Sequence, residues 1–171
     1  MSFRLKLVFL TINFQALLLT GFGCQEKVSA GPTAPNFSLP DLYGQMTSLE
    51  QYRGSIVVLD FWASWCPPCK LSIPELVKLQ EKYKEKGLVI LGVSLDDPER
   101  ASDEYLRSFR DKYRINYAIL RYNRQVLIDY FAFETPAIPT MFLVDREGKI
   151  RDKFVGFIPG ALEKALKVVL G

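Results

Sequence analysis

The part of this sequence best suited to do chemistry is a pair of cysteines with two residues between them. Cys66 and Cys69 follow an apolar run over 56–62, which predicts a buried strand, and precede a segment with helical periodicity. A helix N-terminus offers unpaired N–H groups and the positive end of the helix dipole, which favour a thiolate. An ordinary thiol is only ~3% ionised at pH 7, so such surroundings raise its reactivity. The pattern predicts a redox-active dithiol: Cys66, at an exposed turn, is the nucleophile and Cys69 resolves the mixed disulfide.

Two structural roles for the pair are less well supported. A structural zinc site needs four ligands, usually Cys or His, but the sequence has no His and only one further cysteine, Cys24. No metal site is therefore predicted. A disulfide between such close neighbours closes too small a loop to stabilise the folded chain much.

An acidic residue stands inside the apolar run, six residues before the first cysteine. A carboxyl group on a buried strand is expected to have a raised pKa, because burial disfavours its charged form. If the side chain of Asp60 points under the active site, it can take the proton of Cys69 when that sulfur attacks. The alternative is a strand-end aspartate paired with a lysine or with backbone N–H groups. We favour the catalytic role.

Aromatic and proline residues around the cysteines are candidates for substrate contact. Trp65 is interpreted as a partly exposed wall of a substrate groove, with burial in the core as the alternative. Pro67 and Pro68, between the two cysteines, are assigned to the same surface. Pro139 opens a later strand, and from its surroundings alone it would be a turn proline.

The first 24 residues have the layout of a secretory leader. Arg4 and Lys6 precede an apolar stretch over 7–22, and no acidic residue occurs before Glu26. Cys24, directly after Gly23, resembles the cleavage and lipidation site of bacterial lipoproteins, although Gly21 replaces the usual Leu-like residue. Lipidation of Cys24 is the favoured interpretation; a cleaved signal and a retained anchor are the alternatives. All three place the protein outside the cytoplasm, facing the membrane or the periplasm. Residues 25–35 are predicted to be a tether.

Length and composition fit one domain with an appendage. The 171 residues are 49% hydrophobic, enough for a substantial core. Without Arg4 and Lys6, 20 basic residues stand against 19 acidic ones, so no nucleic-acid surface is indicated. No Gly-rich dinucleotide loop is present, and no cofactor is predicted. A monomer is expected.

The remaining pattern alternates strands and helices. The strand–helix–strand order after residue 56 predicts parallel pairing through a right-handed crossover. The predicted elements are a hairpin over 36–49, strands over 56–62, 88–94, 118–120, 140–144 and 149–155, and helices over 72–86, from 97 onward, 125–131 and 159–170.

The stretch Leu59-Asp60-Phe61-Trp62-Ala63-Ser64-Trp65-Cys66-Pro67-Pro68-Cys69-Lys70 resembles the thioredoxin active site. The Pro-Pro dipeptide, the hairpin and an insert over 96–130 resemble the extracytoplasmic TlpA/ResA-like branch of that superfamily. The resemblance implies an α/β thioredoxin fold over 36–171, in which helices flank a central mixed sheet, with an N-terminal β-hairpin and a central insert. Ile138-Pro139-Thr140 resembles the cis-proline loop. This implies that Pro139 is cis against the disulfide and that the Ile138 backbone pairs with an extended substrate.

The sequence departs from that branch at two positions. Many members carry a glutamate three residues after the second cysteine, where this chain has Ser72, and many have Asn where this chain has Asp60. The resemblance therefore implies that Asp60 supplies the proton-transfer role here.

The predicted function is a tethered thiol–disulfide oxidoreductase that acts as a reductant on disulfides of secreted proteins. Apocytochrome c is the leading substrate class at the family level, and a membrane thiol carrier is the expected electron donor. The alternative is a thiol peroxidase, because the region over 32–49 also resembles peroxiredoxins; however, Ala63 stands where those enzymes place Thr or Ser. A third possibility is a non-catalytic binding module that uses the groove near Trp65.

Overall fold

A computed structural model of the chain describes residues 31–171. The predictions for the leader, including Cys24, and for most of the tether fall on residues 1–30, outside this range. The described part contains a small antiparallel hairpin, a five-stranded mixed sheet and four α-helices. The strands are β1 (Ser38–Pro40), β2 (Met46–Ser48), β3 (Ile56–Trp62), β4 (Leu88–Ser94), β5 (Ala118–Arg121), β6 (Thr140–Val144) and β7 (Ile150–Val155). The helices are α1 (Pro67–Tyr83), α2 (Asp103–Tyr113), α3 (Arg124–Phe131) and α4 (Ala161–Leu170), with short 3-10 turns at Leu49–Tyr52 and Lys84–Lys86.

Strand β3 lies at the centre of the large sheet, whose order is β5-β4-β3-β6-β7. It pairs in parallel with β4 and antiparallel with β6, and all seven of its residues are buried. A strand covered on both faces has a continuous apolar sequence, as this one does apart from Asp60. The predicted parallel β3–α1–β4 unit is confirmed, and the mixed sheet agrees with the fold that the resemblance implied.

Side chains of β3 alternate between two separate cores. The core on one side, called here the α1-side core, contains Val58 and Trp62 of β3 together with Cys69 and Ile73 of α1. The core on the other side, called the α3-side core, contains Phe61 packed beside Phe131, Phe142 and Tyr130. Asp60 lies two residues from Val58 and two from Trp62 on the same strand, so its side chain lies on the same face as theirs, the α1 side.

Helices α1 and α2 begin several residues away from their predicted starts. Helix α1 begins at Pro67 rather than Ser72, because Cys66 serves as its N-cap and prolines are tolerated in the first turn, where N–H groups have no helical partner. Helix α2 begins at Asp103 rather than near Asp97. Its N-cap is Ser102, whose hydroxyl accepts a hydrogen bond from the Tyr105 N–H at 3.2 Å.

The last helix also starts slightly later, at Ala161, after Gly160 in the left-handed conformation. Within residues 31–171, no helix has both the length and the apolar character needed to cross a bilayer.

Candidate active site

The two cysteines form a disulfide at the start of α1. Their sulfurs are 2.03 Å apart and their Cα atoms 5.3 Å apart. The backbone N–H of Cys69 points at the sulfur of Cys66 from 3.2 Å, so Cys66 occupies the N-cap position. When the disulfide is reduced, this N–H and the helix dipole are in place to stabilise a thiolate on Cys66. The predicted location of the dithiol at a strand-to-helix junction is confirmed.

The sulfur of Cys66 is more enclosed than the sequence suggested. The expectation of an exposed turn is wrong for this residue, which is only 3% exposed. Its sulfur is bonded to Cys69 on one side and lies 3.7 Å from the carbonyl oxygen of Ile138 on another. The Ile138–Pro139 peptide bond is cis, as the resemblance implied. The loop before β6 therefore packs directly against the disulfide.

Ile138 and Pro139 differ in accessibility. Pro139 is buried, whereas Ile138 is half-buried at the surface next to Cys66. The carbonyl of Pro139 accepts a hydrogen bond from Gly156 N–H at 2.8 Å, which ties this loop to the end of β7. No hydrogen bond between described residues uses the Ile138 N–H. This N–H is available to a backbone that approaches the disulfide.

Asp60 is fully buried on β3, and neither carboxylate oxygen has a hydrogen-bond partner among the described residues. Burial raises the pKa of Asp60 from its ordinary value of 3.8 to about 7. The raised pKa confirms the expectation for a carboxyl group in an apolar strand. A carboxyl group with a pKa near 7 is able both to accept and to release a proton at neutral pH.

Three of the residues predicted to contact substrate are exposed, unlike the buried Pro139. Trp65 is 65% exposed, and Pro67 and Pro68 are exposed at the tip of α1. Trp65 also borders an open cleft of about 450 Å³, which continues toward Tyr105 of α2. Trp62 is buried in the α1-side core, as predicted.

A network around Asp96 was not predicted from the sequence. Asp96 is buried, and its carboxylate accepts hydrogen bonds from the N–H and hydroxyl of Ser64 at 2.9 and 2.7 Å. It also accepts one from the hydroxyl of Ser94 at 2.8 Å. These bonds fasten the segment just before the cysteines to the end of β4. The signal was present in the sequence, since Asp96 follows the carboxyl end of a strand parallel to β3, and such ends meet at one edge of a sheet.

Ser72 replaces the glutamate common in the related branch. It is fully buried, and its hydroxyl donates to the carbonyl of Cys69 at 2.9 Å. A serine hydroxyl has no charge at neutral pH, so it cannot take the place of a glutamate carboxylate. Within the described residues, the acidic side chain buried on the α1 side of β3 is Asp60. No group of three or more His, Cys, Asp or Glu side chains within 31–171 could hold a metal ion.

A redox disulfide at a helix N-terminus, packed against a cis-proline loop on a five-stranded mixed sheet, defines a thiol–disulfide oxidoreductase of the thioredoxin fold. The chain belongs to the AhpC/TSA family, whose model matches residues 30–153.

Relatives and solved structures agree with this class. The chain is 33% identical over 135 residues to the thiol-disulfide oxidoreductase ResA of Bacillus anthracis, covering 79% of this chain and 75% of that one. It is 36% identical over 129 residues to the thioredoxin-like protein YneN of Bacillus subtilis (strain 168), covering 75% and 73%. A crystal structure of a putative thiol:disulfide interchange protein DsbE from Chlorobium tepidum superposes with a TM-score of 0.71 at 35% identity, covering 82% of this chain and 97% of that one. The predicted fold, family and enzyme class are confirmed.

Proposed function

We propose that this protein is an extracytoplasmic protein-disulfide reductase that uses Cys66 and Cys69 in two successive exchange steps. The observation that carries the proposal is the disulfide at the N-terminus of α1, on the same side of β3 as an unpaired buried carboxyl group, Asp60. This arrangement supplies a stabilised nucleophile at the N-terminus of α1 and a proton acceptor in the interior.

The first step is attack by the Cys66 thiolate on a disulfide of the substrate protein. A mixed disulfide forms, and one substrate sulfur leaves as a thiolate. In the second step Asp60 accepts the proton of Cys69, and the resulting thiolate attacks the sulfur of Cys66. The second substrate sulfur leaves, and two electrons have passed from the enzyme to the substrate, leaving the Cys66–Cys69 disulfide.

Asp60 favours this reducing direction because it takes up the proton that Cys69 loses as the internal disulfide forms. A second thiol system must then reduce the disulfide again, and we assign this role to a membrane thiol donor. Measuring the reduction potential of the dithiol against glutathione tests the direction: a potential as oxidising as ~−120 mV would contradict it.

The substrates we propose are disulfide-bearing secreted proteins, with apocytochrome c as the leading class. The free N–H of Ile138, next to the enclosed sulfur, supports an extended substrate segment that pairs with the backbone there. The exposed faces of Trp65, Pro67 and Pro68 complete the contact surface. Similarity to proteins named ResA and DsbE supports this class of reaction.

The location rests on the first 24 residues. We propose that the domain over 36–171 acts as a monomer held at the outer side of the cell membrane by a lipid on Cys24 or by the leader itself, through a tether over 25–35. Mass spectrometry of the protein extracted from membranes would reveal a lipid on Cys24. Recovery of the unmodified full-length chain from cytosol would contradict the location.

Substrate trapping tests the exchange mechanism. In a Cys69→Ala variant the second step cannot occur, so mixed disulfides through Cys66 should accumulate and be recovered from membranes. The matched control is Cys66→Ala, which keeps one thiol but loses the nucleophile. Trapping through Cys69 in that control, with none through Cys66, would overturn the assignment of the nucleophile.

Two parallel assays separate the reductase from the alternative of a thiol peroxidase. The reduced protein should precipitate insulin by reducing its disulfides, and it should consume hydrogen peroxide no faster than an unactivated thiol. Rapid peroxide consumption without insulin reduction would favour the peroxidase. A module that only binds would keep its partner when both cysteines are replaced by serine.

A further inference from the structure

Four buried side-chain polar atoms within residues 31–171 have no hydrogen-bond partner, and all four belong to three residues. They are the two carboxylate oxygens of Asp60, Nε1 of Trp62 and the hydroxyl of Tyr117. A buried polar group without a partner destabilises a folded protein by about 1–3 kcal/mol, and native structures contain few of them. All three residues line the α1 side of the sheet, the side that carries the disulfide.

The position of Gly92 shows how the three side chains are arranged. Gly92 on β4 is the direct neighbour of Asp60 in the sheet register, so a side chain there would point to the same face. A Cβ atom at Gly92 would lie 2.9 Å from Nε1 of Trp62 and 3.2 Å from Cε2 of Tyr117. The indole N–H and the phenol ring therefore occupy the space beside Asp60 that the missing side chain leaves.

The three groups are chemically complementary. An ionised carboxylate only accepts hydrogen bonds, an indole N–H only donates, and a phenol does both. Burial, and to a smaller degree the charge of Asp60, raise the pKa of Tyr117 well above its ordinary value, so its hydroxyl stays protonated. Two donors thus stand beside one acceptor. No hydrogen bond joins them directly, so any influence of the two donors on Asp60 is electrostatic and acts through their dipoles.

We propose that Tyr117 is a positioning residue for the exchange reaction, whose hydroxyl, together with the Trp62 N–H, supports the ionised form of Asp60. The proposal rests on the role of Asp60 as the proton acceptor for Cys69 in the proposed function. Tyr117 touches neither sulfur in this scheme; it determines the pH at which Asp60 is free to accept the proton.

The surroundings of Asp60 leave few other groups able to do this. Helix α1 contributes Cys66 and Cys69, which are the reacting thiols. The neighbouring strands contribute Gly92 from β4 and Met141 from β6, and neither titrates. Among the described residues, desolvation alone accounts for the raised pKa of Asp60, with no charged side chain contributing. Within residues 31–171, Tyr117 is thus the one titratable hydrogen-bond donor identified at this position outside the dithiol.

The direction of the effect follows from electrostatics. A hydrogen-bond donor close to a carboxylate stabilises the charged form, so removing the Tyr117 hydroxyl should keep Asp60 protonated to higher pH. The Cys69 step would then become fast only at higher pH. Removing a hydroxyl dipole close to a buried charge, in a low-dielectric interior, is expected to shift the midpoint of that step by roughly one pH unit.

The test follows the two thiols separately with 5,5′-dithiobis(2-nitrobenzoate). The reduced protein releases one coloured thiol when Cys66 attacks the reagent and a second when Cys69 resolves the mixed disulfide. The rate of the second release is measured between pH 5 and 9 for the wild type, Tyr117→Phe, Asp60→Asn and the double variant. Tyr130→Phe is the matched control: it also removes a buried phenol hydroxyl, but one that donates to the carbonyl of Pro35 on the α3 side.

The expected result is that Tyr117→Phe moves the midpoint of the second release upward by roughly one pH unit, while Tyr130→Phe leaves it in place. In the Asp60→Asn background the shift should disappear, because Tyr117 acts through Asp60. A Tyr117→Phe profile that superimposes on the wild type, or a shift that persists without Asp60, would overturn the proposal. A wild-type profile in Asp60→Asn would overturn the role of Asp60 itself, and with it this inference.

The pKa of Asp60 can also be measured directly, in case a substitution changes the rate of thiol release by perturbing the fold. The carboxyl ¹³C resonance of Asp60, followed with pH in the oxidised protein, should titrate at higher pH in Tyr117→Phe than in the wild type. Equal titration midpoints would contradict the proposal even if the rates differed.

Discussion

The two sides of β3 differ in whether their buried polar groups have hydrogen-bond partners. On the α3 side, four aromatic rings pack as one cluster: Phe61 lies 5.4, 5.0 and 5.9 Å from Tyr130, Phe131 and Phe142, and Phe142 lies 5.0 Å from Tyr130. Most of these pairs meet edge to face, a favourable geometry for aromatic rings. The one polar group among them, the Tyr130 hydroxyl, donates to Pro35 O at 2.8 Å.

On the α1 side, neighbouring residues of the same strand are left unpaired. Asp60 and Trp62 flank Phe61 in the sequence, yet their polar atoms have no partner among the described residues, and Tyr117 adds a third such group. Successive side chains of β3 therefore point alternately into two different environments. On the α3 side the buried polar group of the aromatic cluster is hydrogen-bonded, and on the α1 side buried polar groups without partners destabilise the fold. The two sides therefore differ in how completely their buried polar atoms are paired, and only the α1 side carries unpaired ones among the described residues.

Truncating the centre of the aromatic cluster should have the largest effect on stability. Phe142 is buried and contacts all three other rings of the cluster. Phe142→Ala should lower the free energy of unfolding by about 3–5 kcal/mol, because it leaves a cavity in a packed core. Urea unfolding of the oxidised protein at pH 7 measures the change.

The same variant shows whether the two sides are separate. The pH profile of thiol release should keep its wild-type midpoint in the fraction that is folded, since Phe142 lies across the sheet from Asp60. Phe142→Leu is the conservative control and should lose less stability. A shifted profile with little loss of stability would show that the aromatic side takes part in the chemistry.

Much of the reactive side was predictable from local sequence. The CxxC pair, the apolar run before it and the helical periodicity after it placed Cys66 and Cys69 at a strand–helix junction, and the lone acid in a buried strand indicated a raised pKa for Asp60. These inferences succeeded because each depends on residues close together in the sequence. Helix starts were less accurate, because Cys66 and Ser102 cap their helices through local geometry that periodicity does not report.

The features that the sequence did not reveal depend on side-chain packing between residues far apart in the chain. No local pattern marks Tyr117 or Gly92 as part of the site. Their proximity to Trp62 becomes visible only in the folded structure, where β4 and the chain before β5 pack beside β3. The enclosure of Cys66 likewise depends on Ile138, 72 residues away. No local pattern encodes that contact, and the cis bond at Pro139 was expected only through the family resemblance.

Removing the buried carboxyl group should stabilise the protein in a pH-dependent way. The pKa of Asp60 is raised from 3.8 to about 7, so the native state holds a proton that the unfolded chain releases above pH 4. The contribution of Asp60 to wild-type stability therefore falls as the pH rises from about 4 to 7 and changes no further above that. Asp60→Asn lacks this loss and should be more stable than the wild type at pH 8 by about 2–4 kcal/mol, with little difference near pH 4.

Urea unfolding of the wild type and of Asp60→Asn at pH 4, 6 and 8 measures both the sign and the size of this difference in unfolding free energy. A gain that is equal at all three values would mean that ionisation of Asp60 is not its cause. The variant should also slow the second thiol release at neutral pH, so stability and activity would change in opposite directions. No comparable gain is expected from substitutions of the aromatic cluster, where every polar atom is already paired.

The smallest effect is expected from adding a methyl group at Gly92. Its Cβ would press on the indole N–H of Trp62 and the ring of Tyr117, and the chain must shift to admit it. Gly92→Ala should lower the free energy of unfolding by about 1–3 kcal/mol. It should also move the midpoint of thiol release, because both donors are displaced from Asp60. Tyr117→Leu, which removes the second contact, should reduce the loss when the two changes are combined. An additive double variant with an unmoved pH profile would mean that Gly92, Tyr117 and Asp60 do not form one coupled group.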